Sequence, residues 1–487
     1  MRKAKIVCTI GPSSESPSIL EQLIERGMDA ARLNFSHGSH ESHGRAIKAV
    51  RETASRRRAA VAIIQDLQGP RIRVGQLQAE GITVAPHQLV RLVGEPSTFD
   101  PRGGIHFGAR SVAPSYATDI PVSYARLAQD IRPAAQVLID DGLIELAVTR
   151  VSGNVVECSV VKGGRIRSHK GINLPGTSIS LPTLTEKDRE DIRFGVAQGV
   201  DYVALSFVRR PEDVAAAKAW IAECGGDAPV IAKIERAEAV TCLESLLDSA
   251  DGVMIARGDL GVEMEPEAVP ILQKRIIGEA NRRRRLVITA TQMLESMTQY
   301  PRPTRAEASD VANAIFDGTD AVMLSAETSV GQYPLEAVHF MNRIVKAAEA
   351  APELRILARE NSERHERSSV EALCQASSSA AAEVGASAIV AFSGSGTTAR
   401  LLSKQRPTAP IIAFTPFEPV RQRMALYWGV LPYTMPSISQ TEQRVVEAEQ
   451  RLKAEGIVSG GQRIVILSGT QPGQRGSTNV MKLHQVM

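Results

Sequence analysis

Short aliphatic runs that end in small or polar residues recur along the first two thirds of the chain: AKIVCTI (4–10), DAARLNF (29–35), AAVAIIQD (59–66), DYVALSF (201–207), PVIAKIE (229–235), DGVMIA (251–256), RLVITAT (285–291) and DAVMLS (320–325). Runs this short and this continuously apolar suit strands covered on both faces. Stretches with helical spacing, such as PSILEQLIERG and EAVPILQKRIIGEANRR, lie between most of them. The alternation predicts a closed parallel (β/α)8 barrel. Between Asp66 and Asp201 the rhythm stops, and short alternating stretches (ITVAPHQLVRLVG, AQVLIDDGLIELAVTR, NVVECSVVKGG) are separated by Gly, Pro and Asn. A small β-barrel inserted after the third strand, acting as a lid over the barrel mouth, is expected there. After about residue 342 a polar stretch, RENSERHERSS, read as a connector or exposed helix, precedes SAIVAFSGSGTTARLLSKQ, APIIAFTP, VLPYTM and RIVILSG, the pattern of a three-layer α/β domain. The expected division is 1–69 and 169–342 for the barrel, 70–168 for the lid and 343–487 for the C-terminal domain.

The length of 487 residues fits about three domains. Lys and Arg number 57 against 54 Asp and Glu, a balance of +3, and aromatics make up 4%. Neither favours a nucleic-acid partner. The basic runs at Arg56, Arg57, Arg58 and at Arg282 to Arg285 read as solvated helix ends ahead of the next strand. The five cysteines are scattered without a CxxC pair, as in a reducing compartment. No run approaches the roughly 18 apolar residues that span a bilayer, so a cytoplasmic protein without a membrane partner is expected.

Catalytic groups of such barrels sit at the C-terminal ends of the strands. Polar residues that interrupt the apolar runs fall at those ends here: Arg32, Asn34 and Ser36 on the second, Asp66 on the third, Lys233 and Glu235 on the fifth, Asp259 just past the sixth and Thr291 on the seventh. Lys233 and Glu235 are two apart and face the same way. Taken alone they read equally as a structural ion pair. Glu235 with Asp259 would put two carboxylates at one rim, where a cation is needed between them. Mg²⁺ (or Mn²⁺) suits a site of few protein carboxylates completed by water and phosphate oxygens. Lys233 could then neutralise a transferring phosphoryl group, Arg32 offers a fork for phosphate or carboxylate, and the ARGDLG backbone at Gly258 can present N–H groups to a carboxylate. Together they suit a small substrate carrying both phosphate and carboxylate.

The motifs CTIGPSS, RLNFSHG, DDGLIEL, KGINLPG, SFVR, IAKIE, ARGDLGVE, TATQMLESM, PRPTRAEASDVANAIFDGTDAVMLSAET and YPLEAV resemble, in order, those of the pyruvate kinase family. The resemblance covers essentially the whole chain. It implies phosphoryl transfer from phosphoenolpyruvate to ADP in glycolysis, with Mg²⁺ on Glu235 and Asp259 and with Lys233 stabilising the group in flight. It also implies that Arg32 contacts the substrate phosphate, that Gly258, Asp259 and Thr291 contact the carboxylate, and that Thr291 relays a proton to the enolpyruvate. Asn34, Phe35, Ser36, His37, Arg73 and Lys170 match nucleotide-binding positions, and a homotetramer is implied.

One motif departs from the family's pattern. After the third strand the potassium-dependent pattern is Asp-Thr-Lys-Gly-Pro-Glu-Ile-Arg, whereas this chain has DLQGPRIR (66–73). Asn34, Ser36, Asp66 and Leu67 match the potassium pocket, but Arg71 stands where the family has Glu. A tethered guanidinium in the ion's electrostatic role would make K⁺ unnecessary. In SGSGTTARLL (393–402) a Gly-rich turn opens a helix, a setting for anions. By resemblance it holds the phosphate of an allosteric effector on Ser393, Ser395, Thr397 and Thr398, with Arg475 closing over it. His37, His40 and His43 read as loop and helix-start residues rather than metal ligands, and Met293 with Met297 as core. Two other classes remain conceivable: a Mg²⁺-dependent lyase or aldolase on a similar barrel, and a non-catalytic sugar-phosphate sensor.

Overall fold

The computed structural model describes residues 2–78, 80–94, 97–100, 104–107, 119–351, 368–438, 440–469 and 478–487. Its centre is a closed parallel barrel of eight strands: β1 (Lys5–Thr9), β2 (Ala30–Asn34), β3 (Ala62–Asp66), β4 (Tyr202–Leu205), β5 (Val230–Ile234), β6 (Gly252–Ala256), β7 (Leu286–Ala290) and β8 (Ala321–Leu324). Closure comes from the pairing of β1 with both β2 and β8. β1, β3, β5, β6 and β7 are buried at every position, which is why they carry no polar alternation. Successive side chains still alternate between two apolar environments. Val7, Ala30, Ile64, Ala204 and Ile231 fill the barrel interior, while their neighbours Ile6, Ala31 and Ile63 pack on the helices. Extending the inward parity to the strand ends selects Thr9, Arg32, Asp66, Ser206 and Lys233. The residues at the mouth are thus chosen by the same alternation that fills the core.

The opposite end of the barrel is plugged by the C-terminal region. Ala425 and Leu426, just past the helix Glu418–Met424, join the interior cluster. Lys5 Nζ donates to the Val430 carbonyl at 2.7 Å, and the Tyr202 hydroxyl donates to the Arg423 carbonyl at 2.8 Å. That region is built on a five-stranded sheet, parallel except for its last strand, Thr478–Gln485. Along Ala388–Phe392, Ile389 and Ala391 face one helical layer while Ala388 and Val390 face the other, giving three layers.

The insertion between β3 and β4 has its own core, including Val90, Leu92, Val137, Leu146 and Val156. Its described strands form a six-stranded sheet and two separate antiparallel pairs, Ile82–Val84 with Gly164–Ile166 and Ser97–Asp100 with Gly104–Phe107. The helix Pro334–Ala350 runs unbroken through residue 342, so a boundary at 342/343 would cut a helix. The RENSERHERSS stretch lies outside the described residues except for Ser368 and Ser369, where a capping box starts the next helix. All five cysteines are free. Among the described residues no helix is long and apolar enough to cross a membrane.

Barrel and C-terminal region are locked by Asp320, just ahead of β8. It meets Lys404 and, at 2.9 Å, Arg406, and accepts from the Val287 amide at 2.8 Å. Burial, opposed by Asp320 and reinforced by Arg406, pushes the Lys404 ammonium down to about 8. Between that value and the usual lysine range near 10.5, the unfolded chain holds a proton that the native state lacks. This group's contribution to stability therefore rises with pH across that window. Denaturant midpoints of wild type and Lys404→Met measured from pH 7.5 to 10.5 should differ by such a rising component; parallel profiles would refute the linkage.

Candidate active site

At the mouth, Asp66 is fully buried and holds two cations at once. Arg32 Nε lies 2.6 Å from Oδ2 and Lys233 Nζ lies 3.1 Å from Oδ1. Burial alone would raise the carboxyl's pKa, but Arg32 and Lys233 outweigh it and hold Asp66 below the usual carboxylate range. Arg32 Nη1 also donates to Thr9 Oγ1 at 3.1 Å, which fixes the plane of its fork. Lys233 Nζ is 2.9 Å from Glu235 Oε1 and donates to Ser206 Oγ at 2.7 Å. Burial works against its charge, yet Asp66 and Glu235 keep the ammonium above the ordinary lysine range.

Glu235 is pushed the other way. Burial and then repulsion from Asp259 raise its pKa, against the pull of Lys233 and of the Phe207 amide, which donates to Oε2 at 2.7 Å. The expected acidic pair is thus electrostatically coupled and short of positive charge. A hard divalent cation fits the chemistry of that donor set, a pair of carboxylates that leaves further positions to non-protein oxygens. Asp259 lies in the first turn of the helix Arg257–Glu263.

Two backbone distortions shape the mouth. Phe207 has φ +55 and Thr291 φ +67, left-handed values that a non-glycine residue adopts at a cost of about 1–3 kcal/mol. The first aims the Phe207 amide at Glu235. The second places Thr291 Oγ1 at 2.8 Å from the Gly258 amide, which donates to it, while the hydroxyl donates to the Ala290 carbonyl at 2.6 Å. Gly258 and Thr291 are thereby in direct contact.

Among the residues matched to nucleotide positions, Arg73 acts electrostatically on His37. The His37 imidazole is held below its ordinary value, first by partial burial and then by Arg73, Arg71 and Arg32. Arg73 Nη1 donates to the His169 carbonyl at 2.9 Å, and Lys170 Nζ sits 2.8 Å from Asp140 at the root of the insertion. Phe35 is stacked on His43 at 4.0 Å between ring centres, and His40 pairs with Asp191 at 2.7 Å. These contacts account for His40 and His43 as packing and pairing groups. Met293 and Met297 are buried in the core around the barrel, as expected.

Two expected placements take a particular form. The Arg71 guanidinium reaches Asp141 at 3.5 Å and lies beside Gly171, and the Arg71 amide donates to the Gly69 carbonyl at 2.9 Å in a tight turn about Pro70. The Leu67 carbonyl accepts from Ser206 Oγ at 2.7 Å. In the C-terminal loop, Ser395 and Thr397 are 3.0 Å apart and exposed at the start of the helix Thr397–Lys404. Thr398, however, is buried and turned to Thr478 at 2.8 Å, and Ser393 is also buried. Arg475 lies outside the described residues. Ser206 and Thr9 were missed from sequence, although inward parity at the ends of β4 and β1 points to both.

Comparison with known proteins gives a consistent result. The family model "Pyruvate kinase, barrel domain" matches residues 1–338, and "Pyruvate kinase, alpha/beta domain" matches 371–484. A pyruvate kinase of Geobacillus stearothermophilus is 44% identical over 494 residues, covering 100% of this chain and 80% of that protein. One of Staphylococcus aureus (strain MRSA252) is 43% identical over 493 residues, covering 100% and 81%. The crystal structure of a pyruvate kinase from Cryptosporidium parvum superposes with a TM-score of 0.91 at 35% identity, covering 100% of this chain and 96% of that one. With family models spanning both its barrel and its C-terminal region, and full-length relatives above 40% identity, the chain belongs to the pyruvate kinase family, a family of phosphotransferases.

Proposed function

We propose that this chain transfers the phosphoryl group of phosphoenolpyruvate to ADP, and that the residues at the barrel mouth divide the work. The observation that carries the reading is the chain of contacts Arg32–Asp66–Lys233–Glu235, two cations interleaved with two carboxylates. The bond from phosphorus to the enol oxygen breaks as one to a terminal oxygen of ADP forms, and the enolate takes up a proton at C3 to give pyruvate. Lys233 and Arg32 offset charge on the phosphoryl oxygens as they pass between the two acceptors. Glu235 and Asp259 would hold Mg²⁺, which supplies Lewis-acid stabilisation of the same oxygens. The Gly258 and Asp259 backbone with the Thr291 hydroxyl receives the substrate carboxylate, and Thr291 relays the proton to C3. Asn34, Phe35, Ser36, His37, Arg73 and Lys170 receive the nucleotide. Arg73 and the field that depresses His37 support an anionic ligand there. The protein's setting is then the cytoplasm.

The finer readings are a barrel with an inserted lid and a C-terminal effector domain that begins after Ala350, a homotetramer, and an allosteric site for a phosphorylated metabolite at the 393–398 turn. Exposed Ser395 and Thr397 at a helix start support the last. Potassium independence is a further reading. It is supported by the added cation at Arg71, whose field acts on His37, next to Ser36, although its guanidinium is turned to Asp141.

In a lactate-dehydrogenase-coupled assay with phosphoenolpyruvate and ADP, Lys233→Met should lose roughly a thousandfold or more in kcat, the scale of one preorganised charge. Wild-type turnover in that variant would sink the reading. Steady-state rates without KCl should match those with it, and one of a panel of sugar phosphates and nucleoside monophosphates should lower the half-saturating phosphoenolpyruvate concentration. Turnover that vanished without KCl and returned on its addition would overturn potassium independence, and a panel without effect would overturn the effector site.

A further inference from the structure

Arg257 opens the helix that carries Gly258 and Asp259, and its side chain has no part in the chemistry above. Its guanidinium nevertheless converges on the segment that holds Thr291. It donates to the carbonyls of Ala290 (3.2 Å), Thr291 (2.7 Å) and Gln292 (3.4 Å), and to Asp310 at 2.7 Å on its other side. Three successive carbonyls can turn towards one point only if the chain curls tightly. Thr291 and Gln292 do so with φ +67 and +53, both left-handed. For a β-branched threonine that backbone persists only where its surroundings over-determine it. A planar fork with donors in fixed directions supplies that constraint, and a lysine ammonium would not. The same residue precedes Gly258, whose amide donates to Thr291 Oγ1 at 2.8 Å, so Arg257 fixes both sides of that contact.

We propose that Arg257, anchored by Asp310, is a positioning residue that sets the Thr291 hydroxyl for the protonation half of the reaction. The inference rests on the reading that Thr291 relays the proton, and the test separates the two. With Mg²⁺ and ATP present, exchange of the methyl protons of pyruvate with deuterated solvent, followed by NMR, reports that half alone: C3 gives up a proton and regains a deuteron. Arg257→Gln should slow exchange and kcat together by about 30-fold, within the range for a misplaced acid–base group, with KM for ADP unchanged. Arg257→Lys should restore only a small part of the loss, and Asp310→Asn, which leaves the guanidinium in place, should lose about threefold. In a Thr291→Ala background, adding Arg257→Gln should change exchange by less than about twofold, since the arginine then has nothing left to place.

An equal loss in both backgrounds, or wild-type exchange in Arg257→Gln, would overturn the positioning role. Wild-type exchange in Thr291→Ala would instead overturn the reading of Thr291 itself. Should Arg257→Gln fail to fold by thermal melting, Arg257→Lys and Asp310→Asn carry the test, and wild-type exchange in both would refute the proposal.

Discussion

The mouth of this barrel depends on one buried carboxylate. Asp66, with no exposed surface, holds Arg32 by one oxygen and Lys233 by the other. Such an arrangement is weak evidence for stability, because desolvating three charges offsets much of their attraction. Its value lies in what it fixes. Two cations that would otherwise relax towards water are kept close, and Lys233 keeps its proton although it is buried. The neighbouring Glu235, crowded by Asp259, stands in the opposite electrostatic condition. Fixed positive charge beside unmet negative charge is the field that a divalent ion and a phosphoryl group can share.

Backbone strain complements this field. Phe207 and Thr291 both follow strand ends, and both adopt left-handed backbone to aim an amide or a hydroxyl into the mouth. Regular strand geometry could not deliver those groups, since a continuing strand would point them along the barrel wall. The distortions are held by polar contacts: the Glu235 carboxylate accepts from the Phe207 amide, and the Arg257 guanidinium gathers the carbonyls around Thr291. Chemistry and scaffold are joined there, because the groups that hold the strain are themselves in the site or one residue from it.

How much of this the sequence discloses follows from which interactions are periodic. Alternation along apolar strands selects Arg32, Asn34, Asp66, Lys233 and Glu235 as inward residues at one rim, and the structure brings Arg32, Asp66, Lys233 and Glu235 into contact. Ser206 obeys the same parity, but a small hydroxyl interrupts an apolar run less visibly than a charge does. The amide of Phe207 and the clamp of Arg257 have no periodic signature, since they depend on dihedral angles at loop starts. Arg71 shows the limit most plainly. Its substitution is conspicuous in DLQGPRIR, but the direction of its side chain is set by the turn at Pro70 and by Asp141 seventy residues on, which no local pattern encodes. The helix through 342 ends at Ala350, two residues ahead of Pro352, so the stop signal in the sequence lies at the proline and not at the onset of the polar stretch.

The central claim is electrostatic: Asp66 keeps Lys233 protonated in a place where burial opposes the charge. It is tested most directly by following the Lys233 side-chain ¹⁵Nζ resonance against pH in wild type and in Asp66→Asn. The account predicts that the wild-type ammonium holds its proton beyond the ordinary lysine range and that the variant releases it at distinctly lower pH. Superposable titration curves for the two proteins would contradict it.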